Sequence, residues 1–153
     1  SVDAGQKQKA GSTDLGGANF FIVGDVYLEN CVSENAKYGY YLRSADTSAG
    51  GPVLINCQDT GSDYGIYFIK VDRDQGAYVE SATLRNAKIT PIVFTSAIRN
   101  VNLEKSTILW DQGAQNPGPA ILYEASVPDP AEISLKDNRI VNYTREVEIQ
   151  PHI

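Results

Sequence analysis

The sequence predicts an all-β chain, a right-handed single-stranded parallel β-helix of about five to six irregular coils with little or no helix. Three observations lead there. The stretch LENCVSENAKYGYYL (Leu28 to Leu42) returns as LINCQDTGSDYGIYF (Leu54 to Phe68), with Leu, Asn, Cys, Tyr, Gly and Tyr identical at an offset of 26 residues. Self-similarity at a period of about 20 to 50 residues marks stacked repeats. The pattern then extends, because VYLENC, PVLINC, ATLRNA, VNLEKS and ISLKDN set Leu28, Leu54, Leu84, Leu103 and Leu135 in register. Finally, each segment is short, alternates with period two, is rich in Val, Ile, Tyr, Phe and Thr, and is bounded by Gly, Asn, Asp, Ser or Pro, as strands are.

The elements follow in order. Residues 1–17, SVDAGQKQKAGSTDLGG, form a polar, Gly-rich arm ahead of a β-helix domain at 18–150 and a short tail at 151–153. Two residues beyond the anchor leucines stand Asn30, Asn56, Asn86, Lys105 and Asp137, which read as turn positions. The second half of the unit recurs as YGYYLRSA, YGIYFIKV, TPIVFTSA and GPAILYEA, aligning Tyr40, Ile66, Ile92 and Ala120, then Leu42, Phe68, Phe94 and Leu122. REVEIQPHI reads as a final strand. No window sustains an i, i+3, i+4, i+7 apolar stripe, and Gly or Pro interrupts nearly every helical candidate.

The anchor leucines are spaced by 26, 30, 19 and 32 residues. WD40 blades and leucine-rich repeats keep stricter or longer periods, and hexapeptide helices a much shorter one. A parallel β-helix tolerates the variation, since its strands stack about 4.8 Å apart while the turns between them bulge outward. Alternation then sends Val26, Leu28, Tyr40 and Leu42 inward onto Leu54, Ile66 and Phe68. Cys31 and Cys57 occupy equivalent places in successive coils, with parallel Cβ vectors that favour two packed thiols over a bridge.

At 153 residues the chain has the size of one domain. Its formal charge of -6 and pI near 4.7 argue against nucleic acid as a partner, which requires a basic footprint. No apolar run is long enough to span a bilayer and the N-terminus shows no signal-peptide core, so membrane insertion is not expected. The absence of Met and the lack of an evident cap at either end favour a chain that works as part of an assembly or a longer protein.

Through LxNC and YGIYF, residues 18 to 150 resemble the β-helical carbohydrate-active proteins: pectate-lyase-like and glycosidase enzymes, and above all phage tailspikes. The resemblance implies a bacterial surface polysaccharide as partner, a homo-oligomeric (trimeric) assembly, and a place on a virion tail or outside the cell. Three functions stay open: a carbohydrate-active domain that binds or hydrolyses that polysaccharide, a non-catalytic adsorption or structural segment of a trimeric fibre, and a polysaccharide lyase fragment.

In tailspike-like glycosidases the resemblance implies two or three carboxylates on one face. Acidic residues outside the expected inward pattern include Asp59, Asp63, Asp72, Asp74, Glu80, Glu104 and Asp111. Asp72 and Asp74 in VDRDQG and Asp111 in WDQG are the catalytic candidates, although Asp-x-Gly clusters are also ordinary turn chemistry. Lyase chemistry would set Arg73 beside a Ca²⁺ site, but one turn supplies few ligands, so no metal or cofactor is expected. Tyr41, Tyr67, Val93 and Ile121, flanked by Tyr38 and Tyr64, should form an outward column. Tyr41, Tyr67, Arg73 and Trp110 are therefore the substrate-binding candidates, with an interface or loop cover as the competing use of the column. His152 has no nucleophile at a recognisable spacing, and Asn142 begins an NYT sequon.

Overall fold

The computed structural model describes residues 17–43, 51–71, 76–95, 98–124 and 132–149. Sixteen strands follow one another in a three-face rotation. The first coil runs through β1 (Ala18–Val23), β2 (Tyr27–Glu29) and β3 (Val32–Glu34), and the second through β4 (Tyr38–Arg43), β5 (Val53–Ile55) and β6 (Gln58–Thr60). β7 (Tyr64–Lys70), β8 (Ala77–Glu80) and β9 (Thr83–Arg85) come next, then β10 (Thr90–Phe94), β11 (Val101–Glu104) and β12 (Thr107–Leu109). β13 (Asn116–Tyr123), β14 (Ile133–Lys136), β15 (Arg139–Val141) and β16 (Tyr143–Ile149) complete the stack.

Every strand pairs in parallel with the strand three places along. This gives a six-stranded sheet β1-β4-β7-β10-β13-β16, a five-stranded sheet β2-β5-β8-β11-β14 and a five-stranded sheet β3-β6-β9-β12-β15. We call these faces one, two and three. The chain is thus an all-β parallel β-solenoid, and among the described residues there is no α-helix.

The inward columns explain the stability. On face one, Tyr40, Ile66, Ile92 and Ile121 are in register, as are Ile22, Leu42, Phe68, Phe94 and Tyr123, and all nine are buried. In the second column Phe68, Phe94 and Tyr123 stack ring on ring at 4.7 and 5.1 Å. Face two contributes buried Leu54, Val79 and Leu103, continued by half-buried Leu28 at one end and exposed Leu135 at the other. Burial of such side chains is worth about 1.5–3 kcal/mol each.

Two registers differ from the expected ones. Leu84 is not the third anchor: it lies on face three, between Asp59 and Ile108, and Val79 takes the place expected for it. The steps 28 to 54, 54 to 79, 79 to 103 and 103 to 135 are therefore 26, 25, 24 and 32 residues, more even than the leucine spacing suggests. The physical reason is that asparagine marks two different corners. Asn30, Asn56, Ser81, Lys105 and Asp137 turn the chain from face two to face three with positive φ, while Asn35, Gly61, Asn86 and Asn142 do the same after face three. Asn tolerates the left-handed region at either place, so LRNA matches LENC although it belongs one corner later.

The second shift is on β13. Ile92 pairs with Ile121 and Val93 with Leu122, so Ile121 points inward and Leu122 takes the outward position. A register irregularity between Asn116 and Pro119 supplies the extra residue. Side-chain and backbone bonds tie the corners: Asn56 Nδ2 donates to Asn30 Oδ1 at 2.6 Å, and the amides of Asn30, Asn56 and Ser81 each donate to a carbonyl of the next coil at 2.9–3.1 Å.

Candidate functional site

The YG repeat builds an aromatic surface. Gly39 sits where a Cβ would strike the Asp59 carboxylate and come within 2.7 Å of the Gly65 carbonyl oxygen, and at Gly65 a Cβ would lie 2.8 Å from the Pro91 carbonyl oxygen. Each glycine lets the backbone press inward, so the tyrosine before it turns out while the residue after it fills the core. Tyr38, Tyr64 and Tyr67 are half-buried on the outside of face one, whereas Tyr40 is enclosed.

The outer rings form one cluster. Tyr38 stacks on Tyr64 at 5.4 Å and Tyr41 on Tyr67 at 5.5 Å, with interplanar angles of 17° and 11°. The pairs meet edge to face, Tyr38 against Tyr41 at 5.1 Å and Tyr67 at 4.9 Å, and Tyr64 against Tyr67 at 5.3 Å. Exposed Phe21 leans on Tyr41 at 5.4 Å, and the Lys37 ammonium lies 5.3 Å above the Tyr38 ring. Tyr41 itself is only 2% exposed, so it backs the cluster instead of presenting a face.

Burial pushes the Tyr41, Tyr64 and Tyr67 phenols up, reinforced at Tyr67 by Glu124 and at Tyr41 and Tyr64 by neighbouring Tyr38. Tyr64 and Tyr67 therefore present neutral hydroxyls, able to donate as well as accept. Farther along the column Val93 and Leu122 replace the rings, so the aromatic surface is confined to the N-terminal coils.

The carboxylate candidates separate. Asp72, Arg73 and Asp74 lie outside the described residues, as does His152. Asp111 is held at the corner after face three: one oxygen takes the Arg85 guanidinium through Nε at 2.9 Å and also through Nη2, and the other takes Asn86 Nδ2 at 2.6 Å. The Asp111 amide in turn donates to Asn86 Oδ1 at 2.9 Å. Arg85 and Asn86 hold its carboxyl below the ordinary value, which suits an ionised clamp between coils more than a proton donor. Trp110 packs partly against the core and edge-on to Tyr143 at 6.4 Å, with Nε1 donating to the Ala114 carbonyl at 3.0 Å.

A groove of about 210 Å³ opens on face two, between Pro52, Val53, Gly76, Tyr78, Asn100 and Asn102. Asp72 and Asp74 precede its Gly76 wall in sequence by four and two residues. Among the described residues, no group of three or more His, Cys, Asp or Glu side chains is placed to hold a metal ion.

The feature missed in the sequence is Asp59. Expected outside the inward pattern, it points into the coil and is 1% exposed. Its Oδ1 accepts from Ser62 Oγ at 2.7 Å, and Ser62 Oγ accepts from the Ala36 amide at 3.1 Å. Ser33, in register above, is also buried and accepts from Asn19 Nδ2 at 3.0 Å. Asp59 Oδ2 has no hydrogen-bond partner. Burial pushes the carboxyl up to about 6 against the pull of the Ser62 bond and the nearby Ser33 hydroxyl, with Glu34 adding to the rise. Alternation from the buried Cys57 held the signal, because a residue two positions on shares its face. Cys31 and Cys57 are both free thiols, with Cys57 buried and raised by that burial.

No protein-family model, curated protein or solved structure matches the chain.

Proposed function

We propose that this β-solenoid is a tailspike-like domain that binds bacterial surface polysaccharide on the aromatic outside of face one. The observation that carries this reading is the ring cluster of Tyr38, Tyr64 and Tyr67 over Tyr41, flanked by Phe21 and Lys37. Tyrosine offers an apolar face to the C–H side of a sugar ring and a hydroxyl to its polar edge, and neutral phenols suit both uncharged and acidic sugars. Parallel stacking repeats these groups at the strand spacing, which suits a repeating polymer.

Hydrolysis, where it accompanies binding, falls to Asp72 and Asp74, which precede the Gly76 wall of the groove in sequence, while Asp111 serves as the clamp described above. Assembly into a trimer along the stack is part of the same reading, as is a place on a virion tail or outside the cell.

The test is binding of the folded protein to capsule, teichoic-acid and lipopolysaccharide preparations, followed by calorimetry or glycan pull-down. Tyr64→Ala with Tyr67→Ala should weaken binding at least about tenfold, from the loss of two stacking rings. Asp72→Asn and Asp74→Asn should remove any cleavage and leave binding intact. Folded protein that holds none of the three polymers sinks the reading, and the structural role in a fibre then stands in its place.

A further inference from the structure

The core directly behind the aromatic cluster contains a titratable group. Asp59 is the middle residue of β6, in register with Ser33 on one side and Leu84 on the other. It faces the backbone of Gly39, whose missing side chain makes room for the carboxylate, and Gly39 lies between Tyr38 and Tyr40. Tyr40 closes the same space from face one, its hydroxyl lying 2.9 Å from the Cys31 carbonyl and 2.8 Å from the Gln58 carbonyl, next to Asp59. One strand, β4, therefore touches the buried acid on its inner side and carries Tyr38 and Tyr41 on its outer side.

We propose that the protonation state of Asp59 sets how tightly the first two coils close, and through β4 regulates polysaccharide binding on the aromatic face. The ligand half rests on the proposed function; the conformational half rests on the buried network alone.

The groups that act on Asp59 come from every side of the cluster. Ser62 lies just beyond β6, β3 supplies Ser33 and Glu34, β4 supplies Gly39 and the Tyr40 hydroxyl, and β9 supplies Leu84. The Cys31 and Cys57 thiols act on the same Tyr40 hydroxyl. Ser62 and Ser33 stabilise the anion, but enclosure and Glu34 oppose it more strongly. Oδ2 makes no bond, and a buried carboxylate oxygen without a donor is costly.

Protonation removes that buried charge, whereas ionisation favours an opening that brings water to Oδ2. The closed form binds the proton more tightly than the open one. Closure is therefore tightest below about 3.8, weakens as pH rises through about 6, and is constant above it. With an open-state value near 3.8, the opening equilibrium gains up to about a hundredfold over that interval. Affinity for the polysaccharide follows the closed fraction, so regulation requires opening to be populated at about one per cent or more at low pH, from which a gain of about a hundredfold takes the closed fraction well below one.

Amide hydrogen exchange on the whole chain at pH 4.5 to 7.5, corrected for intrinsic exchange, reads the conformational half. Protection in β3, β4 and β6 should drop as pH rises, while β12 and β15 stay flat. Asp59→Asn should abolish the pH dependence. The Asp59 carboxyl, followed by carbon NMR in the unmodified chain, should titrate near 6 and need no variant to fold. An ordinary titration near 4, or pH-dependent exchange that survives in Asp59→Asn, overturns the proposal.

Binding at pH 5 and pH 7.5 reads the coupling to ligand. Tighter binding at pH 5, lost in Asp59→Asn, is the expected result. A bound polysaccharide whose affinity ignores pH while exchange follows Asp59 overturns the coupling. Exchange that follows Asp59 with no polysaccharide bound at any pH upholds the conformational half and sinks the ligand reading.

Discussion

The N-terminal and C-terminal coils share one backbone plan and fill it in opposite ways. On face three the first two rungs point Ser33 and Asp59 inward, and the next three point Leu84, Ile108 and Ile140. Outside face one the order reverses, with Tyr41 and Tyr67 giving way to Val93 and Leu122. The difference shows that the parallel ladder specifies the coil, while the interior needs only to be filled and satisfied. Where it is apolar, burial supplies the stability; where it is polar, Asn19, Ser62 and the Tyr40 hydroxyl bond most of what the chain encloses and leave Asp59 Oδ2 without a partner.

The largest expected effect tests the apolar half. Ile108 is fully buried, so Ile108→Ala should cost about 2–5 kcal/mol, read from urea midpoints at constant m-value. A loss under about 1 kcal/mol would mean that the two halves do not differ in how they are held.

The next separates the halves by pH. Asp59 is raised from 3.8 to about 6, so its contribution is fully present below 3.8 and lost as pH rises through 6, about 3 kcal/mol in all. Asp111 carries the opposite sign: its carboxyl is lowered, so its contribution is present above the unfolded value and lost as pH falls through the folded one. Denaturant melts from pH 4 to 7 should show the wild type losing stability toward neutrality relative to Asp59→Asn. Identical slopes would remove Asp59 from the account.

A smaller effect is expected from the polar network. Ser62→Ala leaves both Asp59 Oδ1 and the Ala36 amide short of a partner, a cost of about 1–3 kcal/mol. It should also move the Asp59 midpoint further up, since the Ser62 bond stabilises the anion. The smallest concerns the corners. Asn56 has φ 52°, so Asn56→Ala should cost about 1 kcal/mol and Asn56→Gly less. Equal losses would make the Asn30–Asn56 side-chain bond, and not the backbone, the reason for asparagine there.

Much of the fold was legible because its rules are local. The pairs Leu28/Leu54, Tyr40/Ile66 and Leu42/Phe68 follow from alternation and an offset repeat, and each is in register. Leu84 and Ile121 escaped because corners with interchangeable residues, and one extra residue in β13, shift the register without changing the pattern. At the candidate site the tyrosine column was legible, but the near-complete burial of Tyr41 was not, since it depends on Phe21, Tyr38 and Tyr67 converging from three strands.

By itself, then, the sequence determined a stacked parallel β-coil with an aromatic outer column, because strand alternation and turn chemistry act between near neighbours. Only the tertiary structure decided that Asp59 faces inward, wedged against Gly39, and that Asp111 is clamped by Arg85 and Asn86. Those environments are set by residues about a coil away, whose distance in space depends on register and whose effect on a carboxylate depends on the dielectric they enclose.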